Sequence, residues 1–184
     1  MTVTLMRGSD LIGRTVVDAS TGNDLAEIKD VVFAASRGSI TGFTLRRRGF
    51  FGRPLKTVLP INAVLSVGTD AVLVATAEAI SDQSDTPPDM ASNEANDVLD
   101  DKVFTVSGRS LGTVTDVVIL GGSAPRVVGF EIGGGVVGNG LIPLGAQAAL
   151  SGRALVVPDD FEQRIRSDLT GLAAELSLIE TRAK

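Results

Sequence analysis

With 184 residues, of which 43% are hydrophobic, the chain has enough apolar material for a buried core and room for one or two domains. It contains no Cys, His, Trp or Tyr, which removes disulfides, thiolate and imidazole chemistry and the usual zinc ligands, and leaves any acid–base or nucleophilic work to carboxylates, lysines and hydroxyls. The net charge of −5 argues against coating nucleic acid with the whole surface, and it is unevenly divided: residues 1–80 hold nine Lys/Arg against seven Asp/Glu, residues 81–184 eight against fifteen.

Neither a secretory apolar core nor a run of membrane-spanning length occurs, so the expectation is a cytoplasmic protein with no membrane insertion. Along residues 1–80, β-branched runs alternate with Gly, Asn, Asp and Ser turns. Strands are expected over Thr15–Val17, Leu25–Phe33, Ile40–Arg47, Leu55–Leu59, Val64–Val67 and Ala71–Val74. Several short strands at even spacing suggest a barrel or sandwich. Leu25 and Ile28 are three apart where alternation calls for two, which predicts a β-bulge that bends the strand for closure. Asp30 interrupts the same apolar strand. A carboxylate buried there must find donors, and the amides of an adjoining turn or an Arg would suffice.

Between the third and fourth expected strands lies a central hairpin with five cations and two adjacent aromatics: Arg46, Arg47, Arg48, Phe50, Phe51, Arg53 and Lys56. Cations that meet phosphates or carboxylates, beside a ring that stacks or inserts, suit both a protein hot spot and a single-stranded nucleic-acid site. Alternation sends Arg46 and Arg48 to one face and Arg47 to the other.

Residues 81–96, with Pro87-Pro88 and four acids, cannot bury enough apolar surface to order themselves and read as an acidic linker. Beyond it the pattern of the first 80 residues returns. Asp10 and Val16 match Asp97 and Val103; Gly22, Leu25, Asp30, Val31 and Val32 match Gly108, Leu111, Asp116, Val117 and Val118. Gly42 and Phe43 match Gly129 and Phe130; Pro60, Ala63, Ala71 and Val74 match Pro143, Ala146, Ala154 and Val157. The domains are therefore read as 1–80, the linker 81–96, a second diverged copy over 97–158, and a tail over 159–184. In the second copy Gly133 to Gly138 fits a G-x-G-x-x-G pattern, but that fingerprint needs a helix to begin there. Leu141-Ile142-Pro143 reads instead as the next strand, so a glycine-rich hairpin is expected.

After Pro158, Phe161, Ile165, Leu169, Leu172, Leu176 and Ile179 are spaced four, four, three, four and three apart. They draw one apolar stripe on a helix over 159–181 that Asp159 or Asp160 could cap. Such a helix either packs on its own domain or pairs with a second copy of the chain as a self-association element.

The stretch from Asp10 to Val74 resembles a PRC-barrel domain. The resemblance lies in the Leu11-Ile12-Gly13 opening, the Thr21-Gly22 turn, Lys29-Asp30-Val31-Val32, Gly42-Phe43, Leu59-Pro60 and Asp70-Ala71-Val72. The stretch from Asn96 to Val157 is similar but lacks the opening Gly and has a shorter central hairpin. What the resemblance implies is a small β-barrel used for binding, with no catalytic residues. The expectation is an all-β chain of two small PRC-like barrels in tandem plus a C-terminal amphipathic helix, with no catalytic, metal or cofactor residues. It would act as a protein-interaction adaptor through the basic hairpin, the alternative being an RNA- or ribosome-associated factor that uses the same hairpin.

Overall fold

The computed structural model describes residues 4–33, 39–46, 57–82, 98–135, 138–144, 149–151 and 154–182. The chain divides into two compact units, Met1–Asp97 with Leu120–Arg126, and Val98–Ile119 with Val127–Lys184. Both are strand-rich, and among the described residues there is a single α-helix.

The first unit holds β1 (Leu5–Arg7), a 3-10 turn over Ser9–Leu11, β2 (Thr15–Asp18), β3 (Asp24–Phe33), β4 (Ile40–Arg46) and β5 (Thr57–Pro60). A 3-10 turn over Ile61–Ala63 leads to β6 (Val64–Val67) and β7 (Ala71–Val74), and another over Ala77–Ala79 leads to β8 (Ser81–Asp82). The sheet follows the order β6-β7-β2-β3-β4-β5-β8. Its pairs are antiparallel apart from β2–β7, which is parallel. Each expected strand is present, with ends shifted by a residue or two where Asp18, Asp24 and Pro60 join the ladders.

The second unit repeats this plan with β9 (Lys102–Thr105), β10 (Ser110–Leu120), β11 (Arg126–Gly135), β12 (Gly138–Pro143), β13 (Ala149–Ser151) and β14 (Ala154–Val157), ordered β12-β11-β10-β9-β14-β13. The likeness extends to single residues. Thr15, Val16, Val17 and Asp18 pair in parallel with Ala71, Val72, Leu73 and Val74, and Lys102, Val103, Phe104 and Thr105 pair in the same register with Ala154, Leu155, Val156 and Val157. Gly42 faces Pro60, and Gly129 faces Pro143. Phe43 and Phe130 are both fully buried, and burying an aromatic ring of this size contributes about 1.5–3 kcal/mol to each core.

The bulge expected beside Leu25 is present in both copies. Val16 pairs with Ala26 and Val17 with Asp24, so Leu25 is the extra residue; Val103 pairs with Gly112 and Phe104 with Ser110, so Leu111 is extra. Two residues then oppose one, which bends the strand. A second irregularity in β3 lies between Ile28 and Asp30. This corrects the burial expected for the matched acids, since Asp30 is exposed and Asp116 half-buried. At each, the Oδ1 accepts the N–H of the following valine, Val31 at 2.9 Å and Val117 at 2.7 Å. Each acid thus binds an amide beside itself in the strand.

The missing opening glycine also has a structural answer. Gly13 has φ +82°, and its counterpart Asp100 has φ +66°. The Gly13 N–H donates to Ile28 and the Asp100 N–H to Val114, at 2.8 and 2.9 Å. The left-handed bend is kept without the residue best suited to it, and Asp is among the few side chains that tolerate it.

The glycine run Gly133–Gly138 joins antiparallel β11 and β12, with Gly135 opposite Gly138, so no helix begins there. A Cβ on Gly135 would run into the Leu111 carbonyl oxygen, which gives this glycine a packing role.

The tail departs from expectation. Residues 159–181 are not one helix: Asp159–Arg164 form a 3-10 segment, Arg166 exchanges backbone bonds with Leu141 (2.7 and 2.9 Å), and the α-helix α1 starts only at Leu169 and runs to Arg182. The α1 N-terminus is capped by Asp168, whose Oδ1 accepts the Gly171 N–H at 2.7 Å. Ser81 and Asp82, read as the start of the linker, instead pair with Val58 and Thr57.

Candidate interaction surfaces

Arg46 closes β4. Its side chain is exposed, and its Nε lies 3.9 Å from the Glu27 carboxylate. β4 and β5 are adjacent and antiparallel, with Leu45 opposite Thr57, so the ten residues between them leave and return at one end of the sheet. Arg47, Arg48, Phe50, Phe51, Arg53 and Lys56 lie outside the described residues. The corresponding turn of the second copy, Gly135 to Gly138, contains no cation.

The C-terminal stripe is divided by what its residues touch. Phe161 and Leu172 are buried, and Leu172 Cδ2 would stand only 3.2 Å from a Cβ on Gly129. Ile165, Leu169 and Leu176 are half-buried, with Ile165 Cγ2 against Gly140. Ile179 lies within α1. Phe161 and Leu172 are thus engaged in their own unit, and α1 lies against β12. Arg166 and Glu175, in contact at 2.6 Å, fasten the middle of α1 to the bridge at Leu141.

Sequence reasoning missed a polar clasp that both copies build at the turn after β2 or β9. The matched serines Ser20 and Ser107 each give a backbone N–H and a hydroxyl to one carboxylate oxygen. In the first copy that oxygen belongs to Asp18, two residues back, at 2.8 and 2.6 Å. In the second it belongs to Asp159, beyond β14, at 3.1 and 2.7 Å, while Thr105 stands where Asp18 was. Both carboxyls are held below the ordinary aspartate value, Asp18 chiefly by the Ser20 hydroxyl and Asp159 chiefly by that of Ser107. Glu78 is lowered too, mainly by the Thr76 hydroxyl, with Asp18 opposing. Beside this clasp Arg109 pairs with Glu162 at 2.7 Å. The expected capping role of Asp159 is therefore replaced by a tertiary one, and Asp160 pairs with Arg164 at 2.8 Å.

Also missed was a registered row with an apolar centre on the outer face of the first sheet. Asp24, Val17, Leu73 and Ser66 are register partners across β3, β2, β7 and β6, with Leu65 as the bulged neighbour of Ser66. Leu65 is 48% and Leu73 37% exposed. The signal was present in Ala71-Val72-Leu73-Val74: when one face of an apolar run is buried, alternation turns the other to water. Among the described residues, no group of three acidic side chains is placed to hold a metal ion. No described helix is long and apolar enough to cross a membrane.

A family model for the PRC-barrel domain matches the chain twice, over residues 4–80 and 90–164. The chain belongs to the PRC-barrel family. No curated protein matches it. The two matches make this a tandem PRC-barrel protein, and the second runs through the 3-10 segment that carries Asp159 and Phe161. Just past the end of each match the two copies share a closing contact: after its 3-10 turn the chain comes back to the equivalent strand position, Ser81 to Val58 in the first and Arg166 to Leu141 in the second.

Proposed function

We propose that this PRC-barrel protein is a non-enzymatic, cytoplasmic adaptor whose first barrel binds another protein through the basic connection between β4 and β5. The observation that carries this reading is the asymmetry of that connection. In the second copy it is a tight glycine hairpin, while in the first a ten-residue connection with two phenylalanines and four cations follows the exposed Arg46. Phe50 and Phe51 supply the apolar anchors, and Arg46, Arg47, Arg48, Arg53 and Lys56 steer the encounter with an acidic surface. A protein partner is favoured over RNA by the net charge of −5 and by the few phosphates one short loop can neutralise.

Affinity capture from native extract, comparing the full chain with the Phe50→Ala/Phe51→Ala variant, tests the proposal. A partner lost with the two rings supports it. Tight RNA binding that falls steeply with salt and is weakened by Arg46→Ala or Arg48→Ala would overturn it in favour of the nucleic-acid reading.

A further inference from the structure

The outer face of the first barrel carries two registered rows. One is Asp24–Val17–Leu73–Ser66, and the next is Arg46–Glu27–Thr15–Ala71, with Asp70 adjoining Ala71. The exposed Leu73 of the first row, with the bulged Leu65 beside it, is thus bordered by the carboxylates of Asp24, Glu27 and Asp70, of which Glu27 has the Arg46 Nε of its own chain 3.9 Å away. The second barrel keeps the geometry and changes the chemistry. Its rows read Ser110–Phe104–Val156–Ala149 and Thr113–Lys102–Ala154–Ser151, with serine and threonine in place of Asp24 and Glu27 and the exposed Lys102 in place of Thr15.

An apolar patch with an acidic rim fits a segment that presents aromatic rings between cations. The chain has such a segment in residues 46–56, Arg-Arg-Arg-Gly-Phe-Phe-Gly-Arg-Pro-Leu-Lys. We infer that the β6–β7–β2 face of the first barrel, centred on Leu65, Leu73 and Val17, receives the 46–56 segment of a second copy of this chain. The inference rests on the proposed binding role of that segment and names one of its partners. Phe50 or Phe51 covers the exposed leucines, which removes apolar surface from water, and the arginines meet the acidic rim. Reciprocal exchange between two copies gives a closed dimer with two equal contacts. The second barrel's face, with Lys102 and without the acids, repels the same segment, so the pairing is directed to the first barrel.

The test is sedimentation velocity of the full chain across a concentration series. The expected result is a monomer–dimer equilibrium that weakens with salt. Leu73→Lys, at an exposed position, keeps the wild-type melting temperature and weakens self-association at least about tenfold, as loss of a central anchor does. Phe50→Ala/Phe51→Ala does the same, and mixing the two variants restores a heterodimer through the one contact that remains intact in the mixture. Val156→Lys, on the second barrel's face, leaves the equilibrium unchanged. A chain that stays monomeric throughout, or a dimer indifferent to Leu73→Lys, overturns the inference. If the wild-type chain is monomeric yet captures a foreign protein through Phe50 and Phe51, self-recognition fails and the adaptor role stands; if the rings matter to neither, both fail.

Discussion

In the first PRC barrel the turn after β2 is closed by a carboxylate two residues away, Asp18 on Ser20. In the second, the same serine position, Ser107, is closed by Asp159, which arrives from beyond the last strand. The register on both sides of this clasp is the same, so the ladder does not depend on which residue supplies the charge. What depends on it is the reach of the bond. One clasp stabilises a local turn, while the other ties to the barrel the tail that places Phe161 and Leu172 in the second core. The copies have kept their geometry and redistributed the groups that hold it.

The comparison breaks most visibly at the two buried phenylalanines. Phe43→Ala and Phe130→Ala are each expected to cost about 3–5 kcal/mol in chemical denaturation, and near-equal losses would establish that the two cores are equivalent. Next comes the tail. Leu172→Ala should cost about 2–5 kcal/mol and lower protection from hydrogen exchange in β11 and β12 while leaving β3 to β5 unchanged. A loss spread over both copies would show that the clasped tail is not private to the second.

The opening bend is a smaller lever with opposite signs in the two copies. Gly13→Ala should destabilise by about 1–2 kcal/mol, because a Cβ is forced into the left-handed region, whereas Asp100→Gly should be neutral or stabilising by up to about 1 kcal/mol. Thermal melts of the two variants check this directly.

The clasp itself gives a pH signature. A carboxyl whose folded pKa lies below its unfolded value contributes stability that is present above the ordinary aspartate value of 3.8 and is lost as pH falls through the lower folded value. The melting-temperature gap between wild type and Asp159→Asn should therefore be full at neutral pH and close in acid below 3.8. The least effect belongs to the exposed Arg109–Glu162 pair, where a double-mutant cycle should return roughly 0.2–1 kcal/mol.

Much of the fold was legible because the chain states it twice. The ordered matches from Asp10 to Val74 fixed strand positions to within a residue or two, and the paired Leu25/Leu111 spacing located the bulge. Legibility failed where a residue's partner is remote or backbone-borne. Asp159 looked like a helix cap because proximity to Ser107 leaves no local pattern. The period of Phe161, Ile165 and Leu169 matched a helix, although the Arg166 backbone prefers a bridge to Leu141. Asp30 looked buried because its neighbours are apolar, yet the bulge between Ile28 and Asp30 places the acid in solvent. Of the candidate binding segment only Arg46 lies within the described residues, whereas the outer row of Val17 and Leu73 became visible once register set them side by side.

The Ser107–Asp159 clasp also has a consequence for the order in which the protein is made. At the ribosome, the first barrel's turn has every group it needs once residue 23 has emerged. The second barrel's turn must wait for a residue 52 positions downstream of its serine. At ordinary synthesis rates that is a delay of roughly three to ten seconds, during which the turn between β9 and β10 relies on local bonds such as that from the Arg109 N–H to the Thr105 hydroxyl. The strands β1 to β8 of the first unit have all emerged before this interval begins, and its remaining segment, Leu120–Arg126, follows early within it. Translation pauses after residue 126 would burden the second barrel and spare the first.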